Sequence, residues 1–146
     1  MEDVISREPV STKSIPAGAI GGLAGGVVFG MLMQMMDMLP MVAMLVGSGS
    51  VAVGWLVHLA ISAFIGGTFA LLLGSRAASV GSAAGLGVVY GAVWWVLGAL
   101  TIMPARLGMQ QFMLNEMTLQ SLMGHLMYGL VLGIVFALVG PRLGRS

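Results

Sequence analysis

Two histidines, His58 and His125, head stripes of small residues that fall at four-residue steps. The first runs His58, Ser62, Gly66, Ala70 and the second His125, Gly129, Gly133, Ala137. On a helix such steps stay near one face. A neutral imidazole can ligate a metal, pass a proton or accept and donate hydrogen bonds, and inside an apolar helix it is costly without a partner. Three readings of the pair follow. Each ring bonds a carbonyl or side chain on a neighbouring helix; or the pair holds a metal or the iron of a b-type haem as opposed axial ligands; or the rings relay protons or line a substrate path. The small residues Ser62, Gly66, Gly129 and Gly133 let helices approach closely, and Ser62 and Gly129 would equally leave room for a flat macrocycle.

Methionine is the second source of chemistry. Of 14 methionines, all but Met1 fall in residues 31–44 and 103–127. Thioether and imidazole together suit Cu(I), which favours soft ligands, so Met33, Met36, Met123 and Met127 are candidate ligands beside the histidines. Methionine is also an unbranched filler of irregular apolar packing. Asp37, with Gln34 just before it, is the one carboxylate within an apolar stretch. It either reaches the membrane interface or joins the site, bonding a histidine and fixing its tautomer.

Other chemistry is excluded. The chain has no cysteine, hence no disulfide, thiolate ligand or cysteine nucleophile. No Ser/His/Asp set has a workable spacing, and no glycine-rich loop is followed by Lys-Ser/Thr. The sequence reads as non-enzymatic, and a net charge of +1 with scattered basic residues argues against a nucleic-acid partner.

The elements that must position these residues are membrane helices. Hydrophobic residues make up 58% of 146 and charged residues 8%, more apolar surface than a soluble domain of this size can bury. The expected fold is all-α, a single integral membrane domain over 1–146. Residues 1–13 form a cytoplasmic tail, followed by spans at about 16–38, 51–73, 83–103 and 118–139. The first span, about 23 residues rising 1.5 Å each, covers roughly 34 Å, enough for the hydrocarbon core. Pro40 follows it, Pro104 is expected to end the third and Gly140-Pro141 the fourth. The linker from Ala105 to Met117 is expected to lie along the interface.

The spans repeat in pairs. Gly26-Val27-Val28-Phe29-Gly30 matches Gly87-Val88-Val89-Tyr90-Gly91 at an offset of 61, and His58-Leu59 and Phe69-Ala70-Leu71 match His125-Leu126 and Phe136-Ala137-Leu138 at 67. Each unit, about 16–76 and 79–142, has two spans and returns to its starting side. The expectation is therefore two tandem parallel helix hairpins about a pseudo-two-fold along the membrane normal, with spans two and four meeting through their small stripes. Arg7, Lys13, Arg76, Arg142 and Arg145 lie on one side and Arg106 alone on the other, placing both termini in the cytoplasm. The histidines then lie near the outer face.

The stretch Ser121-Leu122-Met123-Gly124-His125-Leu126-Met127-Tyr128-Gly129, with Met103-Pro104 and the methionine-rich end of span one, resembles the small four-span bacterial and archaeal proteins described as YagU-like. The resemblance implies a multi-pass protein of the prokaryotic inner (cytoplasmic) membrane with paired histidines, and no particular activity. The functional expectation is an accessory, structural or assembly subunit of a larger membrane complex, respiratory or electron-transfer in kind. Its partners would be the lipid bilayer and other membrane subunits or further copies of itself. The alternatives are a self-contained protein holding b-type haem or copper at His58 and His125, and an oligomeric ion or small-solute transporter.

Overall fold

The computed structural model describes residues 14–143; the tail at 1–13 and Arg145 lie outside them. The described residues are mostly helical, and four helices are long and apolar enough to cross a membrane: Ile15–Met35, Val51–Arg76, Val80–Arg106 and Glu116–Leu143. These are the marks of a membrane protein.

Helix α1, Ile15–Met35, carries Pro16 in its first turn, where the missing N–H has no intrahelical acceptor to lose. It ends earlier than Met38 because Asp37 takes a left-handed conformation (φ 54°). The Met38 N–H bonds Met33 O at 2.9 Å and the Asp37 N–H bonds Gln34 O at 3.2 Å, the paired bonds of a left-handed helix stop. A short helix α2, Leu39–Ala43, and a 3₁₀ turn at Met44–Val46 follow. Helix α3, Val51–Leu73, is capped by the Ser50 hydroxyl.

Helix α4, Val80–Trp94, starts from a reciprocal cap between Ser79 and Ser82, then widens into a π-helical segment at Trp95–Ile102. Pro104 does not end this span. The chain continues as α5, Met103–Arg106, with the proline in its first turn. A proline there removes the N–H that would bond Leu100 O, and the Phe112 N–H supplies the bond instead at 2.9 Å. Helix α6, Glu116–Leu143, begins on a reciprocal cap in which Asn115 Oδ1 accepts from the Thr118 N–H and Thr118 Oγ1 from the Asn115 N–H. It runs through Gly140-Pro141 to Leu143. One ladder bond lost near a helix end does not stop it.

The helices pack in the spatial order α3, α1, α6, α4. The small-residue stripes do not meet each other as expected; each packs inside its own hairpin. On α3, Ser62 and Gly66 lie against Gly18, Gly22 and Gly26 of α1, and on α6, Gly129 and Gly133 lie against Gly87 and Ala83 of α4. A Cβ on Gly66 would run into Gly18 O, and one on Gly129 into Gly87 O. A second face of α1 serves α6: Gly21 lies against Leu132 and Gly25 against Tyr128, while the Phe29 ring lies over Gly124. Helices α3 and α4 hardly touch. They meet around Tyr90, whose hydroxyl bonds Ile65 O at 3.0 Å and Thr68 Oγ1.

Adjacent glycines on α3 give a matched test. Gly66→Ala puts a methyl into the α1 backbone and should destabilise the bundle by about 1–3 kcal/mol, as overpacking does. At Gly67 a Cβ meets only Ile15 Cγ2, at 3.5 Å, so Gly67→Ala should be neutral. Thermal unfolding in detergent checks this; equal effects at both positions would contradict the packing.

Candidate functional site

His58 lies two turns into α3 and is buried. Its Nε2–H donates to Gly26 O on α1 at 2.9 Å, an acceptor brought within reach by the close α1–α3 contact. The turn below is tied to it, because Ser62 Oγ donates to His58 O at 2.7 Å. Tyr128 of α6 donates to Ser62 O at 2.7 Å, joining α3 to the other hairpin. His125 makes a different bond: its Nδ1–H donates back to Ser121 O at 2.8 Å on its own helix, with Ser121 Oγ at 3.3 Å.

Phe29 links the two rings. It stands edge-on to His58, with centroids 5.3 Å apart, and to His125 at 4.8 Å. Trp55 flanks His58 at 6.3 Å, and its own Nε1–H donates to Gln34 Oε1 at 2.7 Å.

A carbonyl only accepts, so each imidazole uses one nitrogen as the N–H donor. In a neutral ring the other nitrogen then carries a lone pair. Among the described residues these second nitrogens, His58 Nδ1 and His125 Nε2, make no hydrogen bond. No buried side-chain nitrogen or oxygen there lacks a partner, so neither atom is sealed in the protein. Both residues line one cleft.

The cleft, of about 440 Å³, lies in the half of the bundle holding the end of α1 and the start of α3. Phe29 and His125 contribute from the central helices, Ile61 and Phe64 from α3, and Trp94, Gly98, Ala99 and Ile102 from α4 and its π-helical continuation. Met38, Met41, Val42 and Leu45, in and around α2, add to the wall, and Thr118 and Ser121 of α6 bring hydroxyls to it. Ile61, Phe64 and Ile102 both line the cleft and are exposed at the bundle surface, so it opens sideways between α3 and α4. The π-helical turns put Gly98 and Ala99 on the wall; wide turns of this kind are frequent at functional sites. Trp95 Nε1–H fixes the segment by donating to Thr118 O at 2.8 Å.

The structure brings together His58, His125 and Met33 of the residues singled out from the sequence. Met36 is not on the cleft wall, and Met123 and Met127 are exposed, Met123 at 60%. The cleft methionines are instead Met33, Met38, Met41, Met103 and Met117. Asp37 is exposed and stops a helix rather than orienting a histidine. Ser62, Gly66, Gly129 and Gly133 line no part of the cleft. A metal or haem iron would be held by His58 Nδ1 and His125 Nε2, with thioethers as further soft ligands, since among the described residues no three His, Cys, Asp or Glu side chains are grouped to hold one. Sequence reasoning missed Phe29 and the wall formed by α2. Phe29 had a signal, as the aromatic centre of the Gly-Val-Val-Phe-Gly motif that recurs with Tyr90.

No family model, curated protein or solved structure matches the chain.

Asp37→Gly separates the two roles of that residue. Glycine adopts a positive φ without strain, so the variant should gain roughly 1 kcal/mol of stability in thermal unfolding. A loss of stability would show that the carboxylate has a partner.

Proposed function

We propose that the chain is a small non-enzymatic protein of a prokaryotic cytoplasmic membrane that serves a larger complex as an accessory or assembly subunit, contributing a ligand-holding cleft. The observation that supports this best is the character of the cleft. It offers two lone-pair nitrogens, aromatic rings, thioethers and the hydroxyls of Thr118 and Ser121, with no carboxylate, amine or thiol, and that composition suits holding a molecule. The complex would be of the respiratory or electron-transfer kind, and the resemblance to YagU-like membrane proteins belongs to the same reading.

A specific observation favours a second reading of the occupant. Five methionines share the cleft wall with both histidines, a donor set suited to Cu(I), and the same two nitrogens would serve a b-type haem. Gentle solubilisation from native membranes should give a species larger than the single chain. Migration alone would contradict the subunit role. An optical spectrum and elemental analysis of the same preparation decide between haem, copper and a metal-free cleft.

The finer architecture is part of the proposal: two tandem parallel hairpins with both termini cytoplasmic. Support comes from the contacts, since Gly26 against Ser62 and Gly87 against Gly129 are the same pair under the offsets of 61 and 67. The offsets also account for the open side. Where α1 and α6 interlock through Gly25 and Gly124, the matched positions on α4 and α3 are Leu86 and Val57, whose bulk prevents the same approach. In intact cells, Gly49→Cys and Gln110→Cys should label from outside and Ala78→Cys should not; the reverse pattern would overturn the orientation.

A further inference from the structure

The cleft also constrains the chemistry of what it holds. The histidines offer it two acceptors, His58 Nδ1 and His125 Nε2, each on a ring that stands edge-on to Phe29, and Ser121 adds a hydroxyl beside His125. Protonating either ring to make it a donor would put a charge at membrane depth, which is unfavourable. A matching ligand therefore brings two hydrogen-bond donors. No charged side chain lines the wall, so an ionic headgroup would be desolvated without a counter-charge. The rest of the wall selects a flat, polarisable body. Phe29, Phe64 and Trp94 offer aromatic faces and edges, and the methionine thioethers make favourable contacts with ring edges. The volume of about 440 Å³ lies in the range of small-molecule sites and holds one ring with the start of a chain. The rest of such a chain would leave between α3 and α4, past Ile61, Phe64 and Ile102, into lipid.

We propose that the cleft binds an aromatic diol carrying an apolar tail, a hydroquinone-type lipid, with its hydroxyls donating to His58 Nδ1 and His125 Nε2. This rests on the ligand-holding part of the function above and does not require the larger complex. Binding alone is inferred, with no reaction of the bound molecule.

The test uses the full chain in lipid nanodiscs and a radiolabelled 2-decyl-1,4-hydroquinone kept reduced, with protein-free discs as the partition baseline. Saturable binding of one molecule per chain is expected. The oxidised counterpart, 2-decyl-1,4-benzoquinone, has acceptors only and should bind about ten-fold or more weakly, the scale of one lost hydrogen bond. 1-Decanol, with one donor and no ring, should not compete. His58→Ala and His125→Ala should each weaken binding about ten-fold, and Ala99→Trp, which fills the cleft from its π-helical wall, should abolish it. If a histidine variant fails to fold, the comparison of reduced and oxidised probe on the native chain still decides. Non-saturable uptake equal to that of empty discs would overturn the proposal. So would equal affinity for the two oxidation states, competition by decanol, unchanged binding in folded histidine variants, or a metal or haem at the histidines that the probe cannot displace. A chain that binds the hydroquinone yet purifies alone would contradict the subunit role and leave this site standing.

Discussion

The bundle depends on how closely α1 lets its neighbours approach. Lipid tails are as apolar as the helices, so burying apolar surface does little to drive helix association, and close backbone packing must do more of the work. Helix α1 meets that demand on two faces, with Gly18, Gly22 and Gly26 against α3 and Gly21 and Gly25 against α6. At these positions a methyl group would strike a carbonyl oxygen or a side chain of the facing helix. The glycines also bring hydrogen-bond partners into range. His58 reaches Gly26 O only because α3 lies so near α1, and Tyr128 reaches Ser62 O past the same contact.

The cleft is the other side of this arrangement. Close packing is confined to α3–α1, α1–α6 and α6–α4, so the fourth side of the bundle stays open. There α3 and α4 are held apart by larger side chains and joined at Tyr90, whose ring also packs on Phe69 with centroids 5.3 Å apart. Beyond that contact the space widens toward the end of the bundle roofed by α2. Leu39 anchors α2, being fully buried with its carbonyl against Gly54 of α3. The histidines therefore lie where tight packing gives way to open space. One nitrogen of each serves the fold, and both residues line the cleft.

Much of this was legible in the sequence. Composition and hydropathy disclose four apolar helices, and the four-residue stripes disclose which faces pack closely. The partner of each stripe was not legible, because a stripe of small residues fits any other. Helix α1 packs through glycines on two faces, Gly18-Gly22-Gly26 beside Gly21-Gly25. But α4 also has small residues on two faces, with Gly81 and Gly85 meeting nothing, so the pattern alone does not pick out the central helix. Proline proved a weak stop. At Pro104 a distant donor, the Phe112 N–H, replaces the missing bond, and at Pro141 the loss falls near the helix end. Asp37 read as chemistry because a carboxylate in an apolar run is rare, yet its left-handed backbone explains it. The π-helical turns have no local sequence mark, since they depend on a shifted hydrogen-bond ladder. The methionine windows pointed to the right end of the bundle, but which thioethers face the cleft depends on helix rotation.

The most direct test is nitrogen-15 magnetic resonance of the two imidazoles in a lipid bilayer. The carbonyl partners at 2.9 and 2.8 Å place a proton on Nε2 in His58 and on Nδ1 in His125, and the cost of a charge at membrane depth makes these two neutral rings of opposite tautomer. Their bare nitrogens, Nδ1 and Nε2 respectively, should shift when a hydrogen-bond-donating probe enters the cleft, while the protonated nitrogens stay fixed by their carbonyl partners. Matching tautomers, or bare nitrogens that ignore every such probe while the protonated ones respond, would contradict the account.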